Sequence, residues 1–156
     1  MVGVELSSFA CEAFFKENDL PFKLAYEKGF NIYQGEKITL FAGDIFELDR
    51  TMTGKLDAIF DRAALYALPS ELRQRYVKAM INLLEPKAKM LLISFCYNQS
   101  EMNGPPFSVS EEEINCLYGH AFTIKQLYNE PVPEISEHHK AKGLTRADEQ
   151  VYYLYK

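Results

Sequence analysis

The sequence has no surplus of positive charge and no long apolar run. Lys and Arg number 17 against 22 Asp and Glu, a formal charge of −5 with pI near 5.3. A chain of this balance lacks the basic face that releases counterions from nucleic acid or holds an anionic membrane, so neither is expected as a partner. No apolar stretch approaches ~18 residues, and no basic leader followed by an apolar segment is present, so the expected location is the cytoplasm. The three cysteines, Cys11, Cys96 and Cys116, are scattered, odd in number and without C-x-x-C spacing, which suits a reducing compartment and argues against zinc. There is no G-x-S-x-G, no G-x-G-x-x-G and no repeat, linker or low-complexity segment. A nucleophile-elbow hydrolase and a hydride-transferring dehydrogenase are therefore disfavoured.

What is present reads as one α/β domain over residues 1–156, with 47% hydrophobic and 25% charged residues. Val2, Val4 and Leu6 suggest a short strand, and Ser7–Ser8 cap a helix from Ser7 to Asn18. Phe30–Gln34 and Lys37–Ala42 alternate around Gly35–Glu36 as a hairpin. Leu56, Ala58, Ile59 and Phe60 suggest a buried strand. Pro69–Ser70 opens a helix with Leu72, Tyr76, Met80, Leu83 and Leu84 at helical spacing, and Pro86 stops it. The continuously apolar run from Lys89 to Phe95 belongs in the middle of a covered sheet. Ser110 and Glu113 form a capping box. Strands near Phe122–Tyr128 and Val151–Tyr155 follow as an antiparallel hairpin, with no helix expected between them.

Ligands of such sheets lie over the carboxyl ends of the strands. Glu5 closes the first strand, where a carboxylate can hold two ribose hydroxyls or simply favour the following helix N-terminus. An acidic residue in that role ends the second strand of a dinucleotide-type domain, which leaves the first strand to be accounted for. Asp44, with the Ile45 backbone, can face an adenine edge or act as an ordinary turn aspartate, with Gly43 allowing a sharp turn. Asp61–Arg62 ends an apolar strand at the ligand edge, either as a ligand group or as a buried internal salt bridge. In "NGPPFSV", Pro105 and Pro106 stiffen the loop so that Phe107 can form a pocket wall, the alternative being a simple chain reversal. His138 and His139 are adjacent and cannot present a chelating pair on one helical face, so no metal is expected.

Taken in order, "VGVELS", "GDIFEL", "FDRAAL", "GPPFSV" and "HHKAKGL" resemble the thiopurine S-methyltransferase family of class I S-adenosylmethionine-dependent methyltransferases, nearer its bacterial branch. Some members of that branch are associated with selenium and tellurium methylation. The resemblance implies a Rossmann-like α/β sheet of order 3-2-1-4-5-7-6, mostly parallel with an antiparallel C-terminal strand. It also implies that this sequence enters the sheet at the second strand, N-terminally incomplete, without the first strand and its glycine loop. By the same resemblance the cofactor is S-adenosyl-L-methionine. Glu5 holds its ribose, Asp44 and Ile45 flank its adenine, and Arg62 borders cofactor and substrate. The acceptor, a small-molecule thiol or chalcogen compound, lies against Phe107. A substrate-contacting arginine of the animal enzymes is replaced here by His138, which argues against thiopurine itself as the physiological acceptor. The alternative reading is a catalytically inactive Rossmann-like remnant or interaction module without cofactor binding.

Overall fold

The computed structural model describes all residues, Met1–Lys156. They divide into two compact units, Met1–Gly54 and Lys55–Lys156. The first contains β1 (Val2–Glu5), α1 (Ser8–Glu17), β2 (Lys23–Glu27), β3 (Phe30–Gln34), β4 (Thr39–Ala42) and α2 (Arg50–Thr53), in a sheet ordered β1-β4-β3-β2. β1 runs parallel to β4 in the register Val2↔Thr39 to Glu5↔Ala42, which brings both carboxyl ends to one edge.

α1 begins where expected, because the Ser7 hydroxyl accepts the Ala10 amide at 3.2 Å. Its buried residues Cys11 and Phe15 meet Tyr33 and Ala42, with Phe14 and Phe22 packed around them. The Phe15 and Phe22 ring centroids lie 5.0 Å apart. Gly43 is needed for a different reason from the one its sequence position suggests. Its φ is not positive; a Cβ there would stand 2.5 Å from a carbon of the Phe30 ring. β2 is an addition to the elements expected from the sequence: Leu24 and Tyr26 alternate with Lys23, Ala25 and Glu27, over five residues that are all exposed. A second signal lies in the turn, where Lys28 and Gly29 both have positive φ and form the two-residue loop joining β2 to β3.

The second unit contains β5 (Leu56–Arg62), α3 (Ala64–Ala67), α4 (Ser70–Leu83), β6 (Leu84–Cys96), α5 (Glu111–Tyr118), β7 (Thr123–Pro131), α6 (Glu137–Ala141) and β8 (Asp148–Tyr155). The sheet order is β5-β6-β8-β7, with β5 parallel to β6 and the remaining pairs antiparallel. Both sheets are thus mixed, with more antiparallel pairing than the sequence suggested because β2 and β3 add a hairpin to the first. On β6, Ala88, Met90, Leu92 and Ser94 are buried while the intervening residues are partly open or exposed, so the strand is one-faced in spite of its apolar run. β5 also departs from expectation. Phe60 is 64% exposed, and Ala58, Phe60 and Arg62 share one open face.

The helix through Ser70 keeps its predicted stripe. Tyr76, Val77, Met80 and Leu83 are buried; Leu72 is not, and the helix ends at Leu83 ahead of Pro86, which sits inside β6. Only half of the capping box forms. Ser110 Oγ accepts the Glu113 amide at 3.2 Å, but the Glu113 carboxylate turns to Arg73. The loop before β8 holds the five-residue α6, capped by Ser136, whose residues carry no apolar stripe that would have announced a helix.

Ala63, between β5 and α3, has φ +78°. An L-residue in that region costs roughly 1–2 kcal/mol, against roughly 0.5–1 kcal/mol of extra chain entropy for glycine. Ala63→Gly is expected to stabilise the protein by about 0.5–1 kcal/mol, read as a higher urea midpoint with unchanged m-value.

Candidate active site

In the first unit the parallel register of β1 and β4 sets Glu5 beside Ala42, and the Gly43 amide donates to the Glu5 carbonyl at 2.9 Å. Glu5 Oε1 accepts the Ser7 amide at 2.9 Å, and the other carboxylate oxygen has no partner in the chain. Asp44 follows directly on the neighbouring strand end. It caps a short 3-10 turn, Ile45–Glu47, with Oδ1 accepting the Phe46 amide at 2.9 Å. Glu5 and Asp44–Ile45, widely separated in sequence, thus share one edge of one sheet, with both carboxylates exposed. A free carboxylate oxygen and an adjacent turn of backbone amides and carbonyls suit a ribose and an adenine edge.

In the second unit the strand-end pair separates. Asp61 is 3% exposed, paired in register with Leu92 on the covered face, and Tyr76 donates its hydroxyl to Asp61 Oδ2 at 2.9 Å. Arg62 points the other way, exposed, and makes no hydrogen bond or ion pair. The buried salt bridge considered from sequence is therefore absent: successive side chains on a strand face opposite sides. Burial pushes the Asp61 carboxyl up, opposed by the Tyr76 hydroxyl and by the Leu65 and Ala64 amides at the start of α3; Oδ1 is left without a well-formed hydrogen bond.

Around Arg62 the sequence reading missed a set of rings. Tyr66 on α3 feels the charges of Arg62 and of Glu149, and burial raises its phenol above the usual range. The Tyr66 and Phe95 centroids lie 6.0 Å apart, those of Phe95 and His139 6.4 Å, and those of His138 and His139 5.6 Å. His138 itself is exposed. No local pattern announces the cluster, because its members come from three elements far apart in sequence.

Phe107 has a different setting. It lines a cavity of about 510 Å³ with Arg73, Gln99, Asn103, Ser110 and Glu113; Arg62 and His138 are not among the lining residues. The loop that carries it is firmly held: the Phe107 amide donates to the Tyr66 carbonyl at 2.7 Å, and the Tyr97 hydroxyl donates to the Pro106 carbonyl at 2.7 Å. The Gly104–Pro105 and Pro105–Pro106 bonds are cis.

Exposed acidic groups at parallel strand ends, and a sheet half ordered β5-β6-β8-β7 with its last strand antiparallel, are features of class I S-adenosylmethionine-dependent methyltransferases. Solved structures share the fold. A methyltransferase of this kind from Methanosarcina mazei matches with TM-score 0.67 at 17% identity, over 99% of this chain and 81% of that one. The N-methyltransferase NodS of Bradyrhizobium japonicum, solved with S-adenosyl-L-homocysteine, matches with TM-score 0.59 at 12% identity, over 99% and 65%. The profile of one family, Thiopurine S-methyltransferase, covers residues 1–156, and the chain belongs to that family. Thiopurine S-methyltransferases of Nitrosospira multiformis and Methylococcus capsulatus are 38% and 39% identical to it, over 99% of this chain and 70% of each relative. S-adenosylmethionine is the cofactor of the class, and a match along the whole chain favours an enzyme over an inactive remnant. No helix is long and apolar enough to cross a membrane.

Because its folded pKa is raised, Asp61 contributes fully to stability only below the unfolded carboxyl value of ~3.9, and that contribution is lost as pH rises toward the folded value. Subtracting the Asp61→Asn stability from that of the parent, by urea titration from pH 3.5 upward, is expected to leave a difference that declines with rising pH. A flat difference would mean that Asp61 ionises in the fold as it does in the unfolded chain.

Proposed function

We propose that this protein takes part in methyl transfer from S-adenosylmethionine to the sulfur of a small thiol of the thiopurine kind, or to a reduced selenium or tellurium compound. Its curated relatives carry the name thiopurine S-methyltransferase. The observation that carries the acceptor half is Arg62: an unpaired guanidinium at the carboxyl end of β5, beside the half-buried Tyr66. Such a cation favours an anionic, and hence nucleophilic, form of the acceptor.

The cofactor supplies an electrophilic sulfonium methyl group. Glu5 offers its unpartnered oxygen to the ribose hydroxyls, and Asp44 with the Ile45 backbone flanks the adenine. In the second unit we assign Arg62 to the cofactor and the acceptor, and His138 and Phe107 to the acceptor, with Pro105 and Pro106 stiffening the loop that carries Phe107. Thiolates and reduced chalcogens are already nucleophilic near neutral pH, so the acceptor's proton can leave to water. Alignment and exclusion of water then dominate the rate, and no side chain is required as a strong base.

Glu5→Ala is expected to weaken S-adenosylhomocysteine binding by about 1.5–3 kcal/mol, the worth of hydrogen bonds to a charged group. Calorimetry checks this, and an unchanged affinity would remove Glu5 from the cofactor site. Arg62→Ala is expected to lower turnover of an anionic thiol more than cofactor affinity, with Arg62→Lys recovering only part because an ammonium lacks the planar fork. Steady-state kinetics alongside a urea titration separate this from a loss of folding stability.

A further inference from the structure

β2 ends the sheet of the first unit, and its outer edge pairs with no strand of the chain. Its register with β3 runs from Glu27↔Phe30 beside the two-residue loop to Lys23↔Gln34. Residues flanking such a loop exchange both backbone hydrogen bonds, and the pattern then alternates along the pair. Lys23, Ala25 and Glu27 therefore turn their amides and carbonyls to β3, while Leu24 and Tyr26 turn theirs to the open edge. The side chains of Leu24 and Tyr26 stand on the face that carries α1, across from Tyr33 and Asn31, which both hydrogen-bond to Ser8. α1 covers Tyr33 but not these two: Leu24 is 62% and Tyr26 74% exposed. β2 has no proline and no bulge, the common devices against edge pairing. The outer strand of the second unit, β7, has both, a register shift between Gln126 and Tyr128 and Pro131 at its end.

We propose that β2 is a self-recognition edge, at which a second copy of this chain adds its own β2 antiparallel, about a two-fold axis at Ala25. The sequence Lys23-Leu24-Ala25-Tyr26-Glu27 is complementary to itself in that register. Leu24 of each copy meets Tyr26 of the other, at the positions whose backbone groups face outward. Each such pair exchanges both of its hydrogen bonds and joins an apolar side chain to an aromatic one. Lys23 of each copy faces Glu27 of the other, opposite charges directly across. Ala25 meets its own copy at the axis, a non-hydrogen-bonded position where side chains come closest and a small one fits. A slip of one residue sets outward backbone groups against inward ones, and a slip of two leaves Lys23 and Glu27 without an opposite charge. A lysine on an open edge discourages an arbitrary strand; here its counter-charge comes with the same strand, so the edge admits this chain in preference to others.

An interface of one short strand per copy belongs to the small, transient class, so the test is sedimentation equilibrium of the full chain from about 5 to about 500 µM at low ionic strength. The parent is expected to pass reversibly from monomer to dimer, and less readily at high salt. Lys23→Glu and Glu27→Lys each set like charges across the axis, and each alone should weaken the dimer at least about fivefold. The double variant restores opposite charges and should return to within about twofold of the parent. Mixing the two single variants should give a mixed dimer stronger than either forms alone. Leu24→Pro removes an outward-facing amide and leaves the β2–β3 bonds intact, so it should abolish the dimer while far-UV circular dichroism stays that of the parent. A parent that is monomeric throughout overturns the proposal. So does a dimer that Leu24→Pro or either single charge variant leaves at parent strength, or a double variant no stronger than the single ones.

Discussion

A buried guanidinium fixes much of the second unit. Arg73 is 2% exposed and stands in the same helical stripe as the apolar residues of α4. Taking it out of water costs several kcal/mol unless its donors are met. Nη1 donates to both Glu113 oxygens at 2.7 Å, and Nε donates to the Leu68 carbonyl at 3.0 Å. Those two partners lie at the start of α5 and just past α3, the ends of the segments that bear Phe107 and Tyr66. The Phe107 amide then closes the connection by donating to the Tyr66 carbonyl. One buried cation therefore holds two loops at the carboxyl edge of the parallel pair β5–β6. Its need for Glu113 also explains why the capping box is left half made.

Asp61 supplies the other constraint at that edge. Its carboxyl is drawn to the covered face by Tyr76 and by the first amides of α3. The following residue must then point to the open face, which is how Arg62 comes to stand unpaired beside Tyr66. The strained φ at Ala63 belongs to the same turn, where the chain leaves β5 and enters α3 within one residue. In the first unit the equivalent role falls to backbone pairing. The β1–β4 register sets Glu5 beside Ala42, two residues before Asp44, and the Phe30 ring leaves no room for a Cβ at the intervening Gly43.

These constraints explain what could be read from the sequence. Residues at strand ends were legible because an α/β sheet presents such ends to ligands, so Glu5, Asp44 and Arg62 stood out beside their strands. α1 and α4 were legible through a cap and an apolar stripe. β2 was harder to read because its alternation, Leu24 and Tyr26 against Lys23 and Glu27, is short and lies on an exposed edge strand. α6 was hidden because a five-residue helix held by one serine cap needs no stripe. Arg73 was missed because a charge within an apolar stripe looks like a break in it until Glu113, forty residues on, is brought to it. The Tyr66–Phe95–His139 cluster lacks any local signal, since its members come from α3, β6 and α6 and meet only in the folded unit.

The division of labour follows from the chemistry. On the function proposed above, a soft nucleophile attacking a sulfonium methyl needs neither a strong base nor an oxyanion hole, which leaves the protein to hold two molecules in line and keep water out. Such a task is spread over many contacts of modest size. It is consistent that the groups at these edges are held by backbone amides, caps and a buried ion pair, rather than arranged as a nucleophile with its base. A rigid support permits variation at the surface it carries. Residues on the open face of β5 and β6 can change without disturbing the buried Asp61–Tyr76 and Arg73–Glu113 contacts beneath.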